Sequence, residues 1–283
     1  MIKIAVQKSG RLYEDSLRLL KDCGLYVEDG LDTLKAEVRN FDAEVLFLRN
    51  SDIPKYLEDG VADIAILGEN VLIEKNVDVA VVEKLGFSKC RLSVALPKGA
   101  EFNGAASLEG KKIATSYPHS LQQYLDKNGV NASIHLISGS VEIAPNIGLA
   151  DAICDLVSSG NTLFKNGLEE KEILLKSEAV LAANYKSLKE KGELIEELAF
   201  RIRSVLKARK NKYILFNIPN DKIEEASKIL PVLKSPTVLP LVEEGWSSLH
   251  SVISDDDFWN IMSKLKACGA QGILVIPIEK MVV

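Results

Sequence analysis

Residues 151–163 read Asp-Ala-Ile-Cys-Asp-Leu-Val-Ser-Ser-Gly-Asn-Thr-Leu. Ala152, Ile153 and Cys154 with Leu156 and Val157 form a short apolar run that predicts a buried strand. Two carboxylates, Asp151 and Asp155, punctuate it. Ser158, Ser159, Gly160, Asn161 and Thr162 follow, small residues with hydroxyls and little bulk, and a helix is expected to start at Leu163. Such a loop can aim several backbone N–H groups and hydroxyls at one point while a helix N-terminus adds positive potential, which suits a phosphate. The carboxylates ahead of it suit either ribose hydroxyls, which donate to them, or a Mg2+ ion carried on a diphosphate. An acid pair followed by a small-residue loop with a threonine is what a phosphoribosyl diphosphate site requires. The same letters also describe an Asx-rich turn between a strand and a helix.

Other residues have a chemical and a plainer account side by side. Lys8, Ser9, Gly10 and Arg11 sit at an expected strand-to-helix turn, with two cations, a hydroxyl and a glycine placed to hold a polyphosphate. Standing alone, they read rather as a solvated helix start. Gly68, Glu69 and Asn70 could set a carboxylate and an amide against a base or ribose, or cap a helix. Glu142, expected one turn into a helix, either binds ribose hydroxyls or stabilises that helix N-terminus. His119, in the run Thr115-Ser116-Tyr117-Pro118-His119, reads as a surface cap rather than a general base, and Cys154 as core.

Composition excludes several classes. With 35 basic and 40 acidic side chains the net charge is −5, so no global basic field attracts nucleic acid. The basic cluster Arg201, Arg203, Lys207, Arg209, Lys210 and Lys212 is interspersed with Glu193, Glu196 and Glu197, has no aromatic platform and reads as a solvated helix face. The four cysteines and three histidines are scattered, which indicates neither a disulfide framework nor a zinc or histidine metal cluster. The apolar start, Met1 to Val6, is too short for a signal sequence and no later run reaches membrane length. These features predict a reduced, cytoplasmic protein.

The elements that must position the candidate residues alternate. Strands are expected at residues 2–7, 36–39, 44–49 and 63–68, with helices from Arg11 to about Cys23, from the Ser51/Asp52 cap with Pro54 in its first turn, and after Gly68. A second lobe is expected after residues 89–91: strands to Pro97, at 111–116 and 133–137, helices at 118–129 and from the Ser140 cap, and residues 151–162 closing its sheet. A strand at 178–183 returns to the first lobe, and one charged helix runs from about Ser187 to Arg209. The expectation is an α/β fold: a bilobed, periplasmic-binding-protein-like part over residues 1–210, with lobe I at about 1–89 plus 178–210 and lobe II at about 90–177, and a ligand in the cleft between them. Residues 211–283 follow a βαββαβ order, a ferredoxin-like module.

In order along the chain, Gln7-Lys-Ser-Gly-Arg-Leu12, residues 63–70, Cys90-Arg-Leu-Ser93, Ile113-Ala-Thr-Ser-Tyr-Pro-His119, Gly139-Ser-Val-Glu-Ile-Ala-Pro145 and residues 151–157 resemble the long form of ATP phosphoribosyltransferase. Residues 235–241 and 276–280 resemble its regulatory domain. The resemblance implies transfer of the phosphoribosyl group of phosphoribosyl diphosphate to N1 of ATP, the first step of histidine biosynthesis, with Mg2+ accompanying the substrate. It implies that Asp155, with Asp151 and Glu142, meets ribose hydroxyls or Mg2+, and that Ser158, Ser159, Gly160, Asn161 and Thr162 hold the 5′-phosphate. Lys8 and Arg11 would neutralise diphosphate or triphosphate oxygens, with Ser9, Gly10, Gly68, Glu69 and Asn70 on the nucleotide side. L-Histidine is the implied inhibitor, at Ser235, Pro236, Thr237 and the Gly269–Ala270 turn, in a homo-oligomer (dimer and hexamer). Two rival readings, a periplasmic solute-binding protein and a ligand-sensing transcription regulator, are countered by the absence of an export signal and of a helix-turn-helix before the first strand.

Overall fold

Four consecutive residues of one strand, Ile64 to Leu67, are buried on both faces, and such a strand belongs at the centre of a sheet covered by helices. That strand organises the first of two lobes in the computed structural model, which describes residues 1–28, 34–230 and 235–282; Val283, the last residue of the expected C-terminal module, lies outside them. The first lobe takes β1 (Ile2–Gln7), α1 (Arg11–Asp22), β2 (Lys35–Glu37), β3 (Ala43–Leu48), α2 (Ile53–Glu58), β4 (Ile64–Gly68), α3 (Glu69–Lys75) and β5 (Ala80–Lys84). The second holds β6 (Cys90–Pro97), β7 (Lys112–Thr115), α4 (Pro118–Asn128), β8 (Ser133–Leu136), β9 (Ala152–Val157), α5 (Asn161–Lys165) and β10 (Leu168–Ser177). The chain returns through β11 (Ala179–Ala183), then α6 (Tyr185–Glu190) and α7 (Gly192–Arg209).

The first sheet runs β2-β3-β1-β4-β11-β5 and the second β10-β6-β9-β7-β8. Read from opposite ends, the two share one plan. β3, β1 and β4 are parallel, as are β8, β7 and β9. Beside each trio lies one antiparallel strand, β11 in the first lobe and β6 in the second, and each is the strand that has just crossed over. Apolar layers cover both faces: Ile53, Leu57, Leu67 and Val180 in the first lobe, and Leu92, Val94, Leu121 and Leu125 on one side of the second.

From Asn211 the chain forms β12 (Asn211–Pro219), α8 (Ile223–Ile229), β13 (Thr237–Pro240), β14 (Trp246–Ser254), α9 (Phe258–Ala267) and β15 (Gln271–Pro277). The sheet order is β13-β14-β12-β15, all antiparallel, the arrangement expected of a ferredoxin-like module. Phe216, Ile218, Leu249 and Leu265 form its core. The compact units are Met1–Glu196 and Glu197–Val283, so the division falls inside α7 rather than after it. No helix among the described residues is long and apolar enough to cross a membrane.

Four local expectations are corrected. After Ser140 there is no α-helix but one 3-10 turn, Val141–Ile143: Ser140 is left-handed with φ 51 and makes no side-chain cap, and Pro145 has no N–H to continue a helix. The single helix from Ser187 is two, because Asn184 caps a short α6 and the chain breaks at Lys191. β9 is the middle strand of its sheet, not its closing one. α5 starts at Asn161, before Leu163, and is five residues long.

At the break, the Lys191 ammonium lies 2.8 Å from Asp63. Asp63 is 4% exposed and also accepts the Ser187 hydroxyl at 2.7 Å and the Lys3 N–H at 2.8 Å. Burial alone would raise its pKa, but the bonds from Lys191, Ser187 and Lys3 outweigh it and hold the carboxyl below the usual range. Asp63→Ala strands all three donors and should destabilise the protein by about 2–4 kcal/mol in urea unfolding at pH 7. The wild-type advantage is present above the ordinary carboxylate pKa and is lost as pH falls through the depressed folded value. The two unfolding curves should therefore converge in acid.

Candidate active site

In open α/β sheets a ligand binds beyond the carboxyl ends of the parallel strands, where the strand order reverses. In the first lobe that point lies between β1 and β4, whose register (Ile4 beside Ile64) carries Lys8 level with Gly68. In the second lobe it lies between β7 and β9, where Thr115 sits beside Cys154, a register that carries Tyr117 level with Leu156, two residues before Ser158. The sequence therefore delivers its candidate loops to the two sheet edges where a ligand is expected.

A cleft of 410 Å³ lies between the lobes at the crossovers. Lys84, Lys89, Arg91 and Lys176 outnumber Glu69 and Glu178 in its lining, which also includes Cys90, Ser158 and Ser177. The excess of positive charge suits a polyphosphate. Arg91 does more than line it. Its guanidinium grips both oxygens of Glu170, its Nη1 donates to the Ser158 carbonyl at 3.1 Å, and Ser93 donates to Glu170 at 2.6 Å. This network fastens the Ser158 loop to β6 and β10, and the Arg91 bonds hold the Glu170 carboxyl below the usual range.

Ser158 and Ser159 are exposed, Gly160 turns the chain with φ 80, and Asn161 and Thr162 open α5, also exposed. The Ser159 hydroxyl accepts the Asn161 N–H at 3.5 Å. Just beneath, Asp155 is half-buried and accepts only the N–H of Leu156, at 2.8 Å, among the described residues. Its pKa is pushed up to about 6, chiefly by burial, with the Glu142 charge adding and the Leu156 N–H opposing. Asp155, within electrostatic reach of Glu142, thus gains from a hydroxyl donor or a cation. Burial keeps the Cys154 thiol protonated and inert, as a core residue.

Asp151 is not brought to this place, which corrects its pairing with Asp155. It lies four residues back along β9, on the order of 13 Å at strand rise, and its carboxylate accepts the Lys112 N–H at 2.8 Å. It ties β9 to β7 at the far end of the sheet. Asn70 is corrected likewise. It is 4% exposed, its side-chain oxygen accepts the Ser177 hydroxyl at 3.0 Å and its N–H donates to the same hydroxyl. Gly68 allows this, since a Cβ there would lie 2.4 Å from the Asn70 oxygen. Glu69 lines the cleft, paired to Lys84 at 3.2 Å. Lys8, Ser9, Gly10 and Arg11 are all exposed at the end of β1. The His119 ring lies 2.9 Å from the Gln123 amide.

In the C-terminal module, Ser235 and Pro236 lead into β13, which Thr237 begins; β13 is an edge strand. Gly269 (φ 97) and Ala270 lead into β15 on the opposite edge, three strand spacings or about 14 Å away. Sequence reasoning passed over His250, whose ring is held by Tyr213 at 2.8 Å and Ser248 at 3.2 Å on the open face of that sheet. It also passed over Arg91, Glu170, Lys89 and Lys176. The local signal on β10 was the consecutive charged run Glu169-Glu-Lys-Glu172 in a strand.

Comparison with known proteins bears on what the site does. The family profile described as "ATP phosphoribosyltransferase" matches residues 49–204, and "HisG, C-terminal domain" matches residues 208–280. The chain is 57% identical to an ATP phosphoribosyltransferase of Cytophaga hutchinsonii over 100% of this chain and 99% of that one. It is 53% identical to one of Bacteroides thetaiotaomicron over the whole of both. Among solved structures, it resembles a chain of the ATP phosphoribosyl transferase (HisG:HisZ) complex from Thermotoga maritima, with TM-score 0.63 and 32% identity, over 72% of this chain and 99% of that one.

The raised pKa of Asp155 has a consequence for stability. The folded state favours the protonated form, so the contribution is present below the unfolded pKa near 4 and is lost as pH rises through about 6. Asp155→Asn removes the cost of the buried charge. It should match wild type near pH 4 and exceed it by about 1–3 kcal/mol at pH 8, read as a shift of the urea midpoint at the two pH values.

Proposed function

The chain belongs to the ATP phosphoribosyltransferase family, and from that premise we infer how its own residues carry the reaction. The enzyme transfers the phosphoribosyl group of phosphoribosyl diphosphate to N1 of ATP and releases diphosphate, the first step of histidine biosynthesis. The observation that carries the assignment of roles is Ser158, which opens the small-residue loop after Asp155 and β9 and lines a cleft shared with Lys89 and Lys176.

The transition state of such a transfer has oxocarbenium character, so catalysis needs alignment and charge placement more than a strong base. Ser158, Ser159, Gly160, Asn161 and Thr162 hold the 5′-phosphate through N–H groups and hydroxyls. Ionised Asp155, with Glu142, accepts from the ribose hydroxyls. Lys8 and Arg11, exposed with no carboxylate paired to them among the described residues, neutralise diphosphate or triphosphate oxygens at the edge of the first lobe. Lys89 and Lys176 add positive charge where the leaving diphosphate departs. Asp155 and Glu142 would also hold Mg2+, since a cation offsets both the burial of the Asp155 charge and the lesser repulsion from Glu142. Mg2+ accompanying the diphosphate supplies charge neutralisation of the leaving group. The four cysteines are free and two of the three in the catalytic part are buried, in keeping with a reducing, cytoplasmic setting.

The C-terminal module is the proposed sensor for L-histidine. Thr237 and Ala270 stand on opposite edges of one sheet, so a histidine touching both segments is held between two copies. The open face of the sheet carries Leu239, Leu274 and Ile276, each 45–56% exposed, an apolar surface that a homo-oligomer would cover. Histidine inhibits by its differential affinity for a less active arrangement. A chain ending near Lys210 should lose histidine binding in isothermal titration while the full chain retains it. Equal affinity of the two would move the site to the catalytic lobes.

The reaction is followed by the ultraviolet absorbance of phosphoribosyl-ATP formed from ATP, phosphoribosyl diphosphate and Mg2+. Asp155→Ala and Thr162→Ala should each weaken use of phosphoribosyl diphosphate by about 1–3 kcal/mol in kcat/KM. His119→Ala should change it little. Because protonation of Asp155 removes the charge that strengthens its bonds to the ribose hydroxyls, kcat/KM for phosphoribosyl diphosphate should fall below pH about 6, and that acid limb should vanish in Asp155→Asn. Loss of activity in the His119 variant with retention in the Asp155 variant would reverse the assignment.

A further inference from the structure

The shared plan of the two lobes makes their first strand-to-helix turns equivalent, yet the two are finished differently. In the first lobe β1 feeds α1 through Gly10, no side chain caps the helix, and the exposed Lys8 and Arg11 flank it. In the second lobe β7 feeds α4, and Tyr117 at the cap position makes no side-chain bond either. Here, however, the first N–H groups are taken. His119 and Ser120 each donate their N–H to the carboxylate of Glu74 at 2.9 Å, and the buried Ser120 hydroxyl adds a bond of 2.7 Å. Glu74 belongs to the last turn of α3, in the other lobe. A carboxylate is the preferred partner for a helix N-terminus, satisfying its free donors and its positive potential together. The cap of α4 is therefore supplied across the cleft.

The place of this contact gives it a use. The lobes are joined by two adjacent crossovers, at residues 85–89 and 177–178, where the Ala179 N–H donates to Phe87, the Leu85 N–H to Ala179 and the Gly86 N–H to Glu178. Such a ribbon defines an axis and leaves rotation about it open. Glu74 provides a tie away from the ribbon, and a second tie sets the angle. α3 also carries Glu69 in the cleft lining, five residues or about 7.5 Å of helix from Glu74.

We propose that Glu74 is a positioning residue for the transfer: by capping α4 from the first lobe it fixes the interlobe angle at which the two substrate-binding edges face each other. The inference rests on the cleft being the site of phosphoribosyl transfer. Without the cap the competent angle is one of several, and a site competent only part of the time shows weaker apparent affinity for every ligand that needs it, while the filled complex turns over as before. In the full-length chain, Glu74→Ala should raise KM for ATP and for phosphoribosyl diphosphate together, by roughly 5–30-fold, with kcat within about twofold of wild type. Glu74→Gln keeps the shape and one acceptor oxygen and should show a smaller rise of the same pattern; it carries the comparison if the alanine variant does not fold. Amide hydrogen exchange provides a readout independent of turnover: the His119 and Ser120 amides should exchange faster in Glu74→Ala than in wild type. Unchanged KM values, or a fall in kcat with KM unchanged, would overturn the positioning role, and unchanged exchange at those amides would overturn the cap itself. An inactive wild-type chain would instead overturn the reading of the cleft.

Discussion

The molecule depends on a two-stranded ribbon that belongs to both catalytic sheets at once. β5 pairs with β11 in the first lobe, β6 pairs with β10 in the second, and the chains between them stay hydrogen-bonded through the crossovers. Because the crossing strand runs antiparallel to its neighbours in each sheet, the three parallel strands of both lobes end at the ribbon's flanks. The strand ends of one lobe are thereby set against those of the other. A cleft lined by Lys84, Lys89, Arg91 and Lys176 is the outcome, and it would not survive a different register of the ribbon.

Legibility in the sequence followed the range of the interactions. The strand Ile64–Gly68 was readable because burial on both faces leaves a continuous apolar run, and the turns at Gly10 and Gly160 because they need positive φ. The family was readable because many short blocks occur in order. What failed was depth along a strand. Asp151 and Asp155 share a face and a charge, and nothing in the letters tells which end of β9 meets a ligand. Only the parallel pairing with β7 decides it. Asn70 misled for a similar reason: its partner, Ser177, is 107 residues away.

The contacts that shape the site are long in sequence. Arg91 reaches Glu170 across 79 residues, and Glu74 reaches Ser120 across 46. Each uses an ordinary charged residue that, read locally, belongs to a solvated surface. The expected helix after Ser140 failed through local chemistry instead. A serine held left-handed and a proline five residues on permit only a 3-10 turn, and that turn brings Glu142 within electrostatic reach of Asp155. The electrostatics also separate the two lobes. The first keeps its strand-end cations exposed, whereas the second buries a carboxylate under its loop and fills the N-terminus of α4 with one from its neighbour.

The crossing strands also dictate an order of assembly. β11 lies between β4 and β5, so the first sheet has a gap until residue 183 has been made, although its other strands are finished by residue 84. The second sheet needs only residues 90–177 and is complete earlier. On the ribosome, the second lobe closes while the first still offers both edges of an unfilled slot, with the apolar β4 along one side. The chain's N-terminal third thus emerges first and is finished last, and its exposure to mispairing during synthesis is set by the time taken to translate about a hundred residues, some 5–20 s at ordinary elongation rates.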